Sequence, residues 1–299
     1  SSDVCSSDLR VQQGILSIKG NLSQAIPTME LVRNLEKNAE LVPDLRSIRR
    51  MHEGFISEVK VQNLEFSHEK SKSPPLIKGI SLIAHPGEFI AIAGATGSGK
   101  STLLDLILGI HEPDQGSIQI SGMKPLQAFT EFPGAISYVP QESIIINGSI
   151  RENLLFGYEV TDVDDMALWE VLEYSELKEY VLSLESGLDQ HIQDGGANLS
   201  GGQRQRLGIA RALITKPELL VMDEFTSSLD ARTESSIMNS IKSYSAAMTL
   251  IVVAHRLSTI KDADRIYFFE SDKTIKIGKF DELKETSLNF RKSAEILGL

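Results

Sequence analysis

From residue 55 onward the chain alternates short apolar runs with longer stretches in which apolar residues recur at helical spacing. The runs predict strands at Ile56–Val61, Phe89–Ala93, Ile118–Ile120 and Ile136–Val139, and two more at Leu219–Met222 and Leu250–Ala254. Continuous apolar strands alternating with helices imply a largely parallel sheet covered by helices, an α/β fold. The stretch from about Asn147 to Thr215 is expected to be mostly helical, punctuated at Gly187 and Asp194–Asn198. Before residue 55 the pattern differs. Val11, Ile15, Ile18 and Leu22 fall at steps of three and four, and Pro27 opens a second helical stretch with Met29, Leu31, Val32 and Leu35. Neither stretch has a strand partner nearby. The expected division is therefore 10–53 and 54–299, with a helical subdomain at about 147–215.

Composition narrows the function classes. Hydrophobic residues make up 41% and charged residues 24%, which excludes wholesale disorder. Lys+Arg is 30 against Asp+Glu 41, a net charge of −11. That balance argues against non-specific nucleic-acid binding, which depends on neutralising phosphates with Lys and Arg. Cys5 is the single cysteine, so no disulfide framework or cysteine-rich zinc site forms within one chain. No apolar run reaches the eighteen or so residues that suggest a bilayer-spanning helix. The first nine residues, SSDVCSSDL, repeat SSD, and Val4–Leu9 back-translates to the tail of a short-read sequencing adapter. Ser1–Leu9 is expected to be a sequencing artefact or a disordered polar tail.

The clearest chemistry follows the strand Phe89–Ala93. The chain runs Gly94-Ala95-Thr96-Gly97-Ser98-Gly99-Lys100-Ser101-Thr102 and then into a helix, Leu103–Leu108. This is the phosphate-binding pattern G-x-x-x-x-G-K-[ST] in its strand–loop–helix setting. Glycines let successive N–H groups turn toward phosphate oxygens, and the helix N-terminus adds partial positive charge. Lys100 is expected to reach the β- and γ-phosphates and Ser101 to ligate Mg²⁺.

Further motifs follow in a fixed order. Tyr138-Val139-Pro140-Gln141 leads to Asn147-Gly148-Ser149-Ile150-Arg151-Glu152-Asn153. Leu199-Ser200-Gly201-Gly202-Gln203 lies 100 residues after Lys100. Leu219-Leu220-Val221-Met222-Asp223-Glu224, then Ser228-Leu229-Asp230, then His255 complete the series. Residues 55–299 closely resemble the ATP-binding cassette (ABC) family, and within it the cassettes of exporters that share a chain with their membrane part. The resemblance implies a P-loop core with a mostly parallel sheet, an N-terminal antiparallel β subdomain and a helical subdomain. Residues 10–53 would then be the end of a transmembrane domain and its linker.

The resemblance also implies roles. Asp223 and Gln141 would join Ser101 around Mg²⁺, Glu224 would polarise the attacking water, and His255 would meet the γ-phosphate. Ser200, Gly201, Gly202 and Gln203 would bind the γ-phosphate held by the P-loop of a second, facing cassette, with Asp230 at the same interface. The implied function is ATP hydrolysis powering export, at the cytoplasmic face of a membrane, in an ATP-dependent homodimer coupled to a transmembrane domain, with no nucleic-acid partner. Two positions depart from the family pattern. His68 stands where an aromatic, most often Tyr, stacks on adenine. Gln193-Asp194-Gly195-Gly196 replaces a Gly-Glu-Arg-Gly-like stretch that touches the membrane domain. The alternatives are a DNA-repair or chromosome-type ABC ATPase and a free-standing importer ATPase. The first carries long coiled coils between P-loop and signature, where only 100 residues stand here. The second gives no reason for residues 10–53.

Overall fold

The computed structural model describes residues 52–67, 76–158, 163–225, 229–245, 247–254, 256–270 and 274–296. The segment 1–9 and the helices expected before residue 52 lie outside them, as do His68, Ser228 and His255. In chain order the strands and helices begin with β1 (Val59–Phe66), β2 (Ile77–Ala84), β3 (Phe89–Gly94), α1 (Lys100–Ile107), β4 (Gln115–Ile120), α2 (Pro125–Glu131) and β5 (Ile136–Val139). A mainly helical stretch follows: β6 (Gly148–Ser149), α3 (Ile150–Leu154), α4 (Asp165–Tyr174), α5 (Lys178–Leu182), β7 (His191–Ile192) and α6 (Gly201–Leu213). The chain ends with β8 (Leu219–Asp223), α7 (Ala231–Tyr244), β9 (Thr249–Val253), β10 (Arg265–Phe269), β11 (Ile275–Gly278), α8 (Phe280–Thr286) and α9 (Leu288–Ile296).

The main sheet has six strands in the order β11-β10-β3-β9-β8-β5. All neighbours are parallel except β11, which returns antiparallel to β10. A separate antiparallel sheet, β2-β1-β4, matches the expected N-terminal β subdomain. The apolar strands are continuous because the main sheet is covered on both faces. Ile90, Ile92, Leu219, Val221, Ile251 and Val253 pack with α1 and with the inner face of the antiparallel sheet. Their neighbours Ala91, Ala93, Leu220, Met222, Leu250 and Val252 pack on the other face, with α6, α7 and the C-terminal helices. Alternate residues of one strand thus feed two cores, and each fully buried Leu or Ile contributes about 1.5–3 kcal/mol.

One expected strand starts late. Ile56 is 56% exposed and pairing begins at Val59. The Ile56 N–H is taken by Ser121 Oγ at 2.9 Å, and the Glu58 N–H turns back to the Ile56 carbonyl at 2.7 Å. Five strands, β2, β10, β11 and the two-residue β6 and β7, are not among those expected from the apolar runs. β2 buries only every second or third residue, so it makes no run.

Candidate functional site

The carboxyl ends of β3, β9, β8 and β5 lie side by side, and the loops leaving them carry most of the chemistry read from the sequence. β3 ends at Gly94, with φ 141°. A Cβ there would stand 2.5 Å from the Phe269 carbonyl oxygen, so only glycine lets the loop leave against β10. Gly94→Ala should therefore impose an overpacking cost of about 1–3 kcal/mol and deform the loop. We expect a lower urea midpoint together with lost nucleotide binding in a fluorescence titration. Wild-type behaviour in both would contradict this packing.

The loop continues through Ala95, Thr96, Gly97 and Ser98 to Gly99, which caps α1 in the left-handed conformation, φ 98°. No side chain hydrogen-bonds the start of α1 and its first turn holds no acid. Its leading N–H groups, at Lys100, Ser101 and Thr102, are thus the free donors of a helix N-terminus. The helix expected at Leu103–Leu108 begins three residues earlier, because these residues are themselves its first turn.

Lys100 is 4% exposed, and its Nζ donates to the carbonyls of Gly94 and Ala95, both at 3.1 Å. The lysine thus spans the loop from inside. Burial pushes the Lys100 ammonium down from its ordinary pKa, while Glu224 and Asp223 pull it back up. Asp223, the last residue of β8, is 8% exposed. Burial, and then the neighbouring Glu224 charge, push its carboxyl up to about 6, although the Ser101 side chain hydrogen-bonds it. Its Oδ1 is buried with no hydrogen-bond partner, and so is Ser98 Oγ in the loop. A buried carboxylate oxygen left bare beside a serine hydroxyl is a fit for a hard divalent cation such as Mg²⁺, which takes oxygen ligands. Among the described residues no cluster of three or more His, Cys, Asp or Glu forms a metal cage.

Glu224 follows at once but leaves the strand. Its φ of 44° is left-handed, at a cost of roughly 1–2 kcal/mol for a non-glycine residue, and its N–H donates to the Val253 carbonyl at 3.0 Å. The turn takes Glu224 out of β8, while its charge stays close enough to Asp223 to raise that carboxyl. Gln141 is exposed two residues beyond Val139, which pairs with Met222. Register thus brings the Gln141 backbone level with the end of β8. Two neighbours of Asp223 were missed in the sequence: Tyr138, whose hydroxyl is pushed up to about 12 by burial and by the Asp223 and Asp105 charges, and Asp105 itself. Nothing in their sequence context separates them from ordinary strand and helix residues.

The signature motif is built differently. Ser200 is the N-cap of α6: its Oγ accepts the Gln203 N–H at 3.2 Å, and Gln203 Oε1 accepts the Ser200 N–H at 2.7 Å. Gly201 and Gly202 form the first turn. Near its middle α6 meets the end of β5, where Gln205 Nε2 donates to the Pro140 carbonyl at 3.3 Å. In the sheet order β5 lies three strands from β3, about 14 Å at the usual strand spacing. The signature helix therefore lies along the far edge of the sheet from the P-loop strand. Asp230 is the N-cap of α7: its Oδ1 accepts N–H groups from Arg232 and Thr233, and its Oδ2 accepts the Thr233 hydroxyl. Those bonds hold its carboxyl below the usual range.

Comparison with known proteins gives the family and the fold. The family model described as "ABC transporter" matches residues 77–227. A "Multidrug resistance ABC transporter ATP-binding and permease protein" of Lactococcus lactis subsp. lactis (strain IL1403) is 35% identical over 286 residues, 91% of this chain and 48% of the relative. An "Uncharacterized ABC transporter ATP-binding protein YfiB" of Bacillus subtilis (strain 168) is 37% identical over 252 residues, 81% of this chain and 43% of the relative. Among solved structures, "Structure of a bacterial Atm1-family ABC exporter with ATP bound" superposes with a TM-score of 0.74 at 27% identity, covering 86% of this chain and 44% of that one. The chain thus spans less than half the length of these relatives.

Proposed function

The chain belongs to the ABC transporter family, and from that premise we propose that it binds and hydrolyses ATP as the motor of an exporter. The observation that carries the reading is the pairing of the Lys100 ammonium, held inside the loop, with the bare Asp223 Oδ1 beside Ser101. The loop N–H groups and Lys100 bind and orient the β- and γ-phosphates. Ser101, Asp223 and Gln141 would hold Mg²⁺, whose charge would offset that of the phosphates. Glu224, turned out of its strand, orients the attacking water and accepts its proton, while His255 meets the γ-phosphate. By the family pattern His68 would stack on adenine.

Ser200, Gly201, Gly202 and Gln203 serve a second cassette. The Ser200 Oγ accepts its cap bond and can still donate its own O–H to a phosphate, and the α6 N-terminus favours that charge. The separation between α6 and β3 supports two chains facing each other, each completing the other's site, with Asp230 at the seam. The permease and exporter names among the relatives support a transmembrane domain on the same original chain; on this reading the domain works at the cytoplasmic face of the membrane. Residues 10–53 would join the two.

The direct test is phosphate release from ATP by the purified chain. We expect turnover that requires Mg²⁺ and stops with EDTA. Equal turnover in EDTA would remove the metal from this scheme, and no ATP binding at millimolar concentration would remove the function. In the same preparation, tight salt-sensitive DNA binding would favour the chromosome-type reading instead.

A further inference from the structure

Gly208 stands in the interior of α6, where glycine is the poorest ordinary helix former. Its neighbours explain it. A Cβ at Gly208 would stand only 2.7 Å from the Ser143 Cβ, closer than packed side chains come, with the Ser143 hydroxyl nearer still. The Ser143 Oγ is buried there without a hydrogen-bond partner, so the serine is held by fit and not by a polar bond. One turn earlier on α6, Gln205 is 3% exposed and donates its side-chain amide to the Pro140 carbonyl. Positions 205 and 208 are i and i+3, on one helix face. That face therefore grips the chain at Pro140 and again at Ser143, the residues that bracket Gln141 and Glu142.

We propose that Gly208, with Gln205, is a positioning residue that sets where Gln141 stands. The proposal rests on the reading of Gln141 as a group that faces Mg²⁺ and the attacking water. Gln141 itself is exposed and could swing with its loop. The two contacts fix both ends of that loop to the helix that begins at Ser200. The missing Cβ is what lets the loop lie against α6: any larger residue at 208 lifts Ser143, and Gln141 moves with it.

Gly208→Ala tests this, because alanine is otherwise the better helix residue. With ATP saturating, kcat should fall about tenfold, as expected for a catalytic group displaced by a fraction of an ångström. KM for ATP should stay within about twofold, because the phosphate loop is untouched, and the Mg²⁺ concentration for half-maximal rate should rise. Removing the obstacle from the other side should restore function: Ser143→Gly with Gly208→Ala should return kcat to within about twofold of wild type. If Gly208→Ala is insoluble while the double variant folds and turns over, the steric pair is established. If the double variant is no better than Gly208→Ala, in folding or in rate, the proposal is overturned. Gln141→Ala separates the two readings. A slow Gln141→Ala beside a fully active Gly208→Ala overturns the positioning role alone. A fully active Gln141→Ala overturns both.

Discussion

Glu224→Gln is expected to bind ATP and to hydrolyse it about 10²–10⁴-fold more slowly than wild type, the usual loss when a positioned proton acceptor is removed. Glutamine keeps the shape and the backbone demand of the left-handed turn, so the fold at φ 44° is not disturbed further. Lys100, Ser101 and Asp223 remain to hold phosphate and Mg²⁺. Loss of one negative charge next to the γ-phosphate should also lengthen the life of the ATP-bound pair of cassettes. Size-exclusion chromatography with ATP and Mg²⁺ should then show a dimer where wild type shows one only transiently. Adding Ser200→Arg should abolish it, since a bulky cation replaces the cap of α6 where the facing phosphate must approach. Wild-type turnover by Glu224→Gln would remove this carboxylate from the mechanism. A variant that is slow yet monomeric at saturating ATP would leave the chemistry in place and sink the facing-cassette arrangement.

Lys100→Ala should weaken nucleotide binding by about a hundredfold, because a hydrogen bond to a charged group contributes about 1.5–3 kcal/mol and on the proposed function this ammonium would meet the phosphates. The stability of the nucleotide-free protein should respond differently. Lys100 is buried, and its burial disfavours the charge it carries. Truncation removes that desolvated charge at the cost of two carbonyl partners, so the urea midpoint without nucleotide should change little. Isothermal titration with ATP and denaturation without it separate the two effects. Tight binding by Lys100→Ala would refute the phosphate role; collapse of the apo protein would make the lysine structural.

What the sequence made legible follows from the range of the interactions. The P-loop, the signature and the terminal carboxylates of β8 are local: glycine conformation, helix capping and strand ends are set within a few residues. Strand β5 falls at Ile136–Val139 as read, and β8 runs only one residue past the expected Met222. The late start of β1, by contrast, depends on Ser121, which lies 65 positions away. β2 escapes because its burial is irregular, and β11 because none of its residues is fully buried. The proximity of Tyr138 and Asp105 to Asp223 depends on sheet order and on the placement of α1, which no local pattern reports. The same holds for Gly208, whose reason is a residue on the loop after β5.

The sheet order has a consequence for how the chain is made. β3, the strand that delivers the P-loop, is flanked by β9 and β10, and both are encoded near the other end of the sequence. Once β3 has left the ribosome, about 160 further residues must be translated before β9 exists. At bacterial to eukaryotic elongation rates that is roughly 8–30 s. Throughout that interval the segment Phe89-Ile90-Ala91-Ile92-Ala93 has neither hydrogen-bonding edge satisfied by its final neighbours. The nascent antiparallel sheet and α1 can shield one face early, since all their residues precede β5. The edges must wait, which leaves the P-loop strand open to wrong edge pairing for as long as synthesis continues.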